Sequence, residues 1–220
     1  MQRRLRALFF DFDGVIVDSI HIKTQALQLL FQGCSPGVIQ KVIHYHKQHG
    51  GISRVDKIVH AHANFIGLPI GKEELEKWSG RYADLVVEKV IEAPWIQGAQ
   101  EFLQSTTTST LEVFVISGTP EDELKYIINR RGITDSFKES LGSPVRKPAH
   151  IRNLLQKYEL RPMDCVFVGD ALTDYDAAKE TGLHFVGIQG EVIFPSGTVV
   201  LEDCRGLQQA LDNLFDTSSR

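Results

Sequence analysis

Apolar positions along this chain follow two rhythms that occupy separate blocks. Short, largely apolar runs at residues 8–10, 112–116 and 165–168 have the pattern of buried strands, and those at 185–188 and 198–201 read as further strands. Between the first two runs, from about residue 20 to 94, the pattern changes to that of amphipathic helices. Ile22, Ala26, Leu29 and Leu30 share one helical face, and Val38, Val42 and Ile43 begin another. Val55, Ile58, Val59 and His62 suggest a third helix, and Leu75, Trp78, Tyr82, Leu85 and Val86 a fourth. After Pro94 strands and helices alternate. A helix is expected over 99–104, then a polar loop over 105–109. Thr119 reads as a helix N-cap with Pro120 at the first helical position and acidic Glu121 and Asp122 behind it. Further helices are expected over 151–158 and from Asp176 to a C-terminal Gly182.

This alternation predicts an α/β fold, a parallel sheet covered on both faces. The helical block reads as an insertion. The core is then residues 1–19 and 95–220, the insertion residues 20–94, with hinges near Ser19-Ile20 and Ala93-Pro94-Trp95. The 220 residues suffice for one core plus such an insertion. A net charge of −4 gives no reason to expect nucleic acid or an acidic membrane as partner. Three scattered cysteines, Cys34, Cys165 and Cys204, form neither a disulfide framework nor a zinc spacing, which favours a reducing, cytoplasmic setting. Arg3, Arg4 and Arg6 precede an apolar run as in a signal peptide, but Asp11 interrupts that run too early. No stretch reaches the length of a membrane span. Nothing bears on oligomeric state.

The chemistry concentrates where strands end, the place where open α/β sheets bind ligands. The first strand runs into Asp11-Phe12-Asp13-Gly14, the second into Ser117-Gly118-Thr119-Pro120, and the 165–168 run into Gly169-Asp170-Ala171-Leu172-Thr173-Asp174. Lys147 stands between the last two, in Arg146-Lys147-Pro148. Alternate residues of an extended chain point to opposite sides, so Asp11 and Asp13 are not expected to share one job. Spacing alone does not say which attacks and which binds metal. This order of four motifs, spread over nearly the whole chain, resembles the haloacid dehalogenase-like hydrolase superfamily, specifically its phosphatase branch.

The resemblance implies a Rossmann-like doubly wound core with an α-helical cap, and a Mg²⁺-dependent phosphatase acting on a small phosphorylated metabolite. It assigns Asp11 as the nucleophile that becomes an aspartyl-phosphate, and Asp13 as the acid and base. Ser117 with the Gly118 amide would bind phosphate, and Lys147 would neutralise charge during transfer. Asp11, Asp170 and the Asp13 carbonyl would hold the metal. Asp174 would either bind it through water or hold Lys147; a helix-capping role is also open to it. Ala171 departs from the family, where Ser or Thr is common. In the helical block, Gly50-Gly51-Ile52-Ser53-Arg54 looks like the Gly-x-x-Arg element of phosphoglycolate phosphatases and β-phosphoglucomutases, which makes Arg54 the substrate-contact candidate. His44, His46, His49, His60 and His62 read as surface or packing residues, and Trp78 and Trp95 as packing. A β-phosphoglucomutase-like mutase is the nearest alternative, although His21 is displaced from the place such caps use for a histidine; a non-catalytic phosphate binder is the second. The leaving-group acid Asp13 argues against a dehalogenase.

Overall fold

Ala7–Phe10 (β1) carries no polar side chain, and all of it is buried, which only a central strand of a doubly covered sheet permits. The computed structural model describes residues 4–107 and 110–215. Arg3, the 108–109 end of the polar run and the 216–220 tail lie outside the described residues. β1 lies between β2 (Glu112–Pro120) and β4 (Cys165–Gly169), parallel to both. β3 (Glu139–Ser143) extends one edge, and β5 (His184–Ile188) and β6 (Val199–Leu201) the other, giving the order β3-β2-β1-β4-β5-β6. The chain therefore reverses its direction of travel across the sheet at β1 and β4, and their carboxyl ends open a crevice there.

Alternation along the strands sorts two cores. Leu8, Phe10, Val113, Val115, Val166 and Val168 face one side, while Ala7, Phe9, Phe114, Ile116, Cys165 and Phe167 face the other. The second face is closed by Ile151 and Leu154 of α7 (Lys147–Lys157) and by Ala177 and Ala178 of α8 (Leu172–Thr181). The first face is covered by α5 (Ala99–Thr106), α6 (Glu121–Arg130) and α9 (Leu207–Phe215). Each buried phenylalanine contributes about 1.5–3 kcal/mol of transfer free energy. β3 has no apolar run to announce it; it is a partly exposed edge strand with one fully buried residue. All three cysteines are free, and burial pushes the Cys165 thiol up to about 12. No helix among the described residues is long and apolar enough to cross a membrane.

The insertion is helical: α1 (Ile20–Leu30), α2 (Pro36–Gln48), α3 (Arg54–Ala61), continued by a π-helical turn at His62–Ile66, and α4 (Lys72–Glu92). Its entry and exit run side by side, joined by an Asp18 N–H to Pro94 O hydrogen bond of 2.9 Å and a Val17–Trp95 bridge. Several expectations shift. In α1 Ile22, Ala26 and Leu30 face inward as expected, but Leu27 takes the inner place expected of Leu29, which is 42% exposed. In α3 Val55 and Val59 face outward, and Arg54, Lys57, Ile58 and Ala61 face inward. α6 starts at Glu121, with Thr119 and Pro120 still extended. α7 and α8 each begin four residues earlier than expected. Gly182 closes α8 at φ 78°, as expected.

Candidate active site

Asp11 follows the last residue of β1, and Asp170 follows the last residue of β4, so neighbouring strands deliver both carboxylates to the same crevice. α8 opens at once from the Asp170 loop and supplies Asp174, fully buried, as its third residue. Lys147 enters from the first turn of α7, its ammonium 2.9 Å from Asp11 Oδ1 and 2.5 Å from Asp174 Oδ1. The other Asp174 oxygen accepts the Ala171 N–H at 3.1 Å. Asp174 thus ties down both the Lys147 ammonium and the start of its own helix. Arg146, the neighbouring cation, is exposed.

Negative charge exceeds positive here. Burial, with the charges of Asp174 and Asp13, raises the Asp11 carboxyl to about 7 despite Lys147. Burial, then Asp11 and Asp174, raises Asp170 well above the ordinary carboxylate range. Among the described residues Asp170 has no ion pair or hydrogen-bonded side-chain partner, although it is only 9% exposed. Carboxylate oxygens of Asp11, Asp170 and Asp174 lie within 4.8 Å of one another. An all-oxygen, charge-excess set of this kind fits a hard divalent cation.

Asp13 has the opposite environment. Burial alone would raise it, but the Lys23 charge and the hydrogen bonds from Lys23 and Ser19 hold it below its ordinary value. Lys23 of α1 forms an ion pair with Asp13 Oδ2, and Ser19 Oγ donates to Oδ1 at 2.6 Å. Ser117 Oγ and Thr119 Oγ1 each approach Oδ2 at 3.3 Å. The two hydroxyls come from one side of an extended stretch because they are two residues apart. Thr119 is therefore a site residue and no helix cap, and its N–H donates to Ser117 Oγ at 3.1 Å.

Comparison with known proteins places the chain in a family. The family model described as haloacid dehalogenase-like hydrolase matches residues 8–188, from β1 to the end of β5. The chain belongs to that family. Among curated relatives, the phosphoglycolate phosphatase of Pseudomonas putida is 24% identical, over 92% of this chain and 78% of its own length. The phosphoglycolate phosphatase of Yersinia pestis is 26% identical, over 84% of this chain and 82% of its own. The crystal structure of β-phosphoglucomutase from Clostridium difficile has the same fold, with a TM-score of 0.79 at 18% identity, covering 96% of this chain and 97% of that one.

In this family member the helical insertion sits directly on the end of β2 and the start of α8. Thr173 Oγ1 donates to Gly50 O at 2.7 Å, and Lys47 pairs with Glu191 at 2.5 Å. Gly51 has φ +77°, and a Cβ there would lie 2.2 Å from Thr173 Oγ1. A Cβ at Gly118 would lie 2.5 Å from Gly51 O, so insertion and core meet backbone to backbone. Between them is a cavity of about 220 Å³ that reaches Asp11, Asp13, Ser117 and Asp170. Arg54 lines it, but its guanidinium pairs with Glu123, donates to Ser79 O at 3.3 Å, and stacks 4.8 Å over Tyr82.

Lys23, His46 and Lys57 also line the cavity, and the sequence pattern marked none of them as functional. His44 is exposed, His62 packs between Phe31 and Trp78, and His49 and His60 stack on Tyr45. Trp95 packs under Arg131. His21 faces solvent beside Asp18.

Proposed function

We propose that this protein is a Mg²⁺-dependent phosphatase that hydrolyses a small phosphorylated metabolite, phosphoglycolate-like or sugar-phosphate-like, through an aspartyl-phosphate on Asp11. The observation that carries the reading is the division between Asp11, within reach of Lys147 and the carboxylate cluster, and Asp13, 3.3 Å from Ser117. Residues 1–19 and 95–220 serve as the catalytic core and 20–94 as the cap. The three free thiols suit a reducing compartment, and we place the protein in the cytoplasm.

An Asp11 oxygen attacks phosphorus, the bond from phosphorus to the leaving oxygen breaks, and Asp13 gives that oxygen a proton. A water then attacks the acyl phosphate, Asp13 takes the water's proton, and phosphate leaves with Asp11 restored. Asp11 and Asp170 with the Asp13 carbonyl would hold Mg²⁺, and Asp174 would keep Lys147 in place. The metal, when bound, offsets the anionic charge that otherwise keeps substrate from Asp11. Ser117 and the Gly118 amide orient the phosphoryl oxygens while Lys147 balances the charge they gain. Arg54, neutralised by Glu123, helps shape the cavity wall. The depressed carboxyl of Asp13 favours its role as base, and the proton it first donates must reach it with substrate bound.

The outward-facing His21 speaks against the mutase reading, because Lys23 occupies the inner face beside Asp13. The test is phosphate release from a panel of phosphorylated metabolites with Mg²⁺, with EDTA, and with Asp11→Asn. Release that stops in EDTA and in the variant is expected. Release that survives Asp11→Asn, or none from any compound, would overturn the proposal.

A further inference from the structure

One buried cation in the cavity has no ion-pair partner among the described residues, although Asp13, Asp170 and Asp11 attract it from farther off. Lys57, on the inner face of α3, is 8% exposed, and among the described residues no carboxylate lies within ion-pair distance of it. Other cavity cations are matched: Lys23 by Asp13, Arg54 by Glu123, Lys47 by Glu191. A buried ammonium without a partner is costly, so its position calls for an explanation.

The hydrogen bonds around it have a definite direction. Thr24 Oγ1 donates to Ile20 O at 2.9 Å, which leaves its lone pairs facing His46 Nε2 at 3.1 Å. The proton of His46 therefore sits on Nε2, and Nδ1 is an acceptor. Lys57 Nζ donates to that Nδ1 at 2.8 Å. Donation of fixed polarity thus runs from Lys57 through His46 and Thr24 to the α1 backbone, and holds the ammonium by one N–H. Burial and the Lys57 charge keep His46 neutral, near 3, so one ring nitrogen stays free to accept from Lys57. The other Lys57 N–H groups are left for whatever fills the cavity.

We infer that Lys57, aimed by His46, binds a second anionic group of the substrate, a carboxylate or a second phosphate, at the end remote from the phosphoryl group held by Ser117 and Lys147. This rests on the phosphatase reading above. A cavity of about 220 Å³ suits a metabolite small enough for its two ends to touch both sites. The burial that depresses Lys57 to about 7 is offset when an anion arrives, so the charge is strongest with the correct ligand in place. His46 acts here as a positioning residue.

The experiment compares two matched pairs: phosphoglycolate against 2-hydroxyethyl phosphate, and fructose 1,6-bisphosphate against fructose 6-phosphate. For each pair the ratio of kcat/KM, anionic member over neutral member, is measured in wild type, Lys57→Met and Lys57→Arg, with the melting curve of each variant recorded. Wild type should favour the anionic member of one pair by about 10- to 100-fold, the size of one charge-assisted hydrogen bond. Lys57→Met should reduce that ratio towards unity, and Lys57→Arg should recover part of it. The pair that responds says whether the group is a carboxylate or a phosphate. His46→Leu should raise KM for the responding anionic substrate more than it lowers kcat. A ratio unchanged in Lys57→Met for both pairs, or a wild type that cleaves p-nitrophenyl phosphate without any anion preference, overturns the inference and leaves the phosphatase reading intact. No release from any compound, p-nitrophenyl phosphate included, removes both.

Discussion

Lys147 and Lys57 are buried to the same extent, 7% and 8% exposed, yet their surroundings are opposite. Lys147 comes from the core, where the end of β1 and the first turn of α8 each place a carboxylate on it. Burial pulls its pKa down, but the charges of Asp11 and Asp174 outweigh that and hold it above the ordinary lysine value. Lys57 comes from the insertion and meets a neutral imidazole. Burial, reinforced by the Lys23 charge, takes it down to about 7. Burial alone therefore says little about a lysine; what matters is whether its counter-charge belongs to the protein or must be brought in. The first arrangement suits a group needed in every turnover, and the second suits a group that reads the substrate.

The largest expected effect is at Lys147. Lys147→Met leaves Asp11 and Asp174 buried without their cation, which should cost the metal-free protein about 3–5 kcal/mol in urea unfolding. It should also lower kcat by roughly 10²–10³-fold. A variant with near-normal turnover would remove Lys147 from the reaction. Lys23 offers an intermediate case, a cap cation matched by a core carboxylate. Lys23→Met should let burial raise Asp13, moving the acidic limb of the pH–rate profile upward. An unmoved limb would mean that Asp13 is not the titrating base.

The smallest effect has the opposite sign from most core substitutions. Because Lys57 is depressed to about 7 when folded and ordinary when unfolded, the unfolded chain binds the extra proton between about pH 7 and the ordinary lysine value. Wild-type stability should therefore rise with pH across that window. Lys57→Met should be more stable than wild type by about 0.5–2 kcal/mol at pH 6, with the gain fading as pH approaches 10. Urea titrations at both pH values read this directly, and a variant less stable at pH 6 would show that Lys57 is well paired in the empty protein.

The two lysines also differ in how legible they were. Lys147 could be read because the order of the four motifs resembles that of the family, although the strand before it, β3, leaves no apolar run. Asp11, Asp13, Ser117, Asp170 and Asp174 share that advantage. Lys57 could not be read because α3 turns a polar face inward. Periodicity assigned Val55 and Val59 to the interior, one position away from the Arg54, Lys57, Ile58 and Ala61 face that is buried. Hydrophobic patterning assumes an oily interior, and this helix lines a chamber built for a polar ligand. Thr119 was hidden for a related reason: Thr-Pro-Glu-Asp fits a helix start so well that its place beside Ser117 on an extended strand was passed over. The edge strand β3, mostly polar and half exposed, left no pattern to find.

The chain enters and leaves the insertion at a single place, where Asp18 is bonded to Pro94 and Val17 pairs with Trp95. Two crossings fastened together leave the helices essentially one axis to turn about. Lys23, Arg54 and Lys57 all line the cavity between these helices and the strand ends, so a turn that opened it would carry all three away together. The potential felt over Asp11 would then change in one concerted step, in which engaging the ligand and enclosing it are the same event.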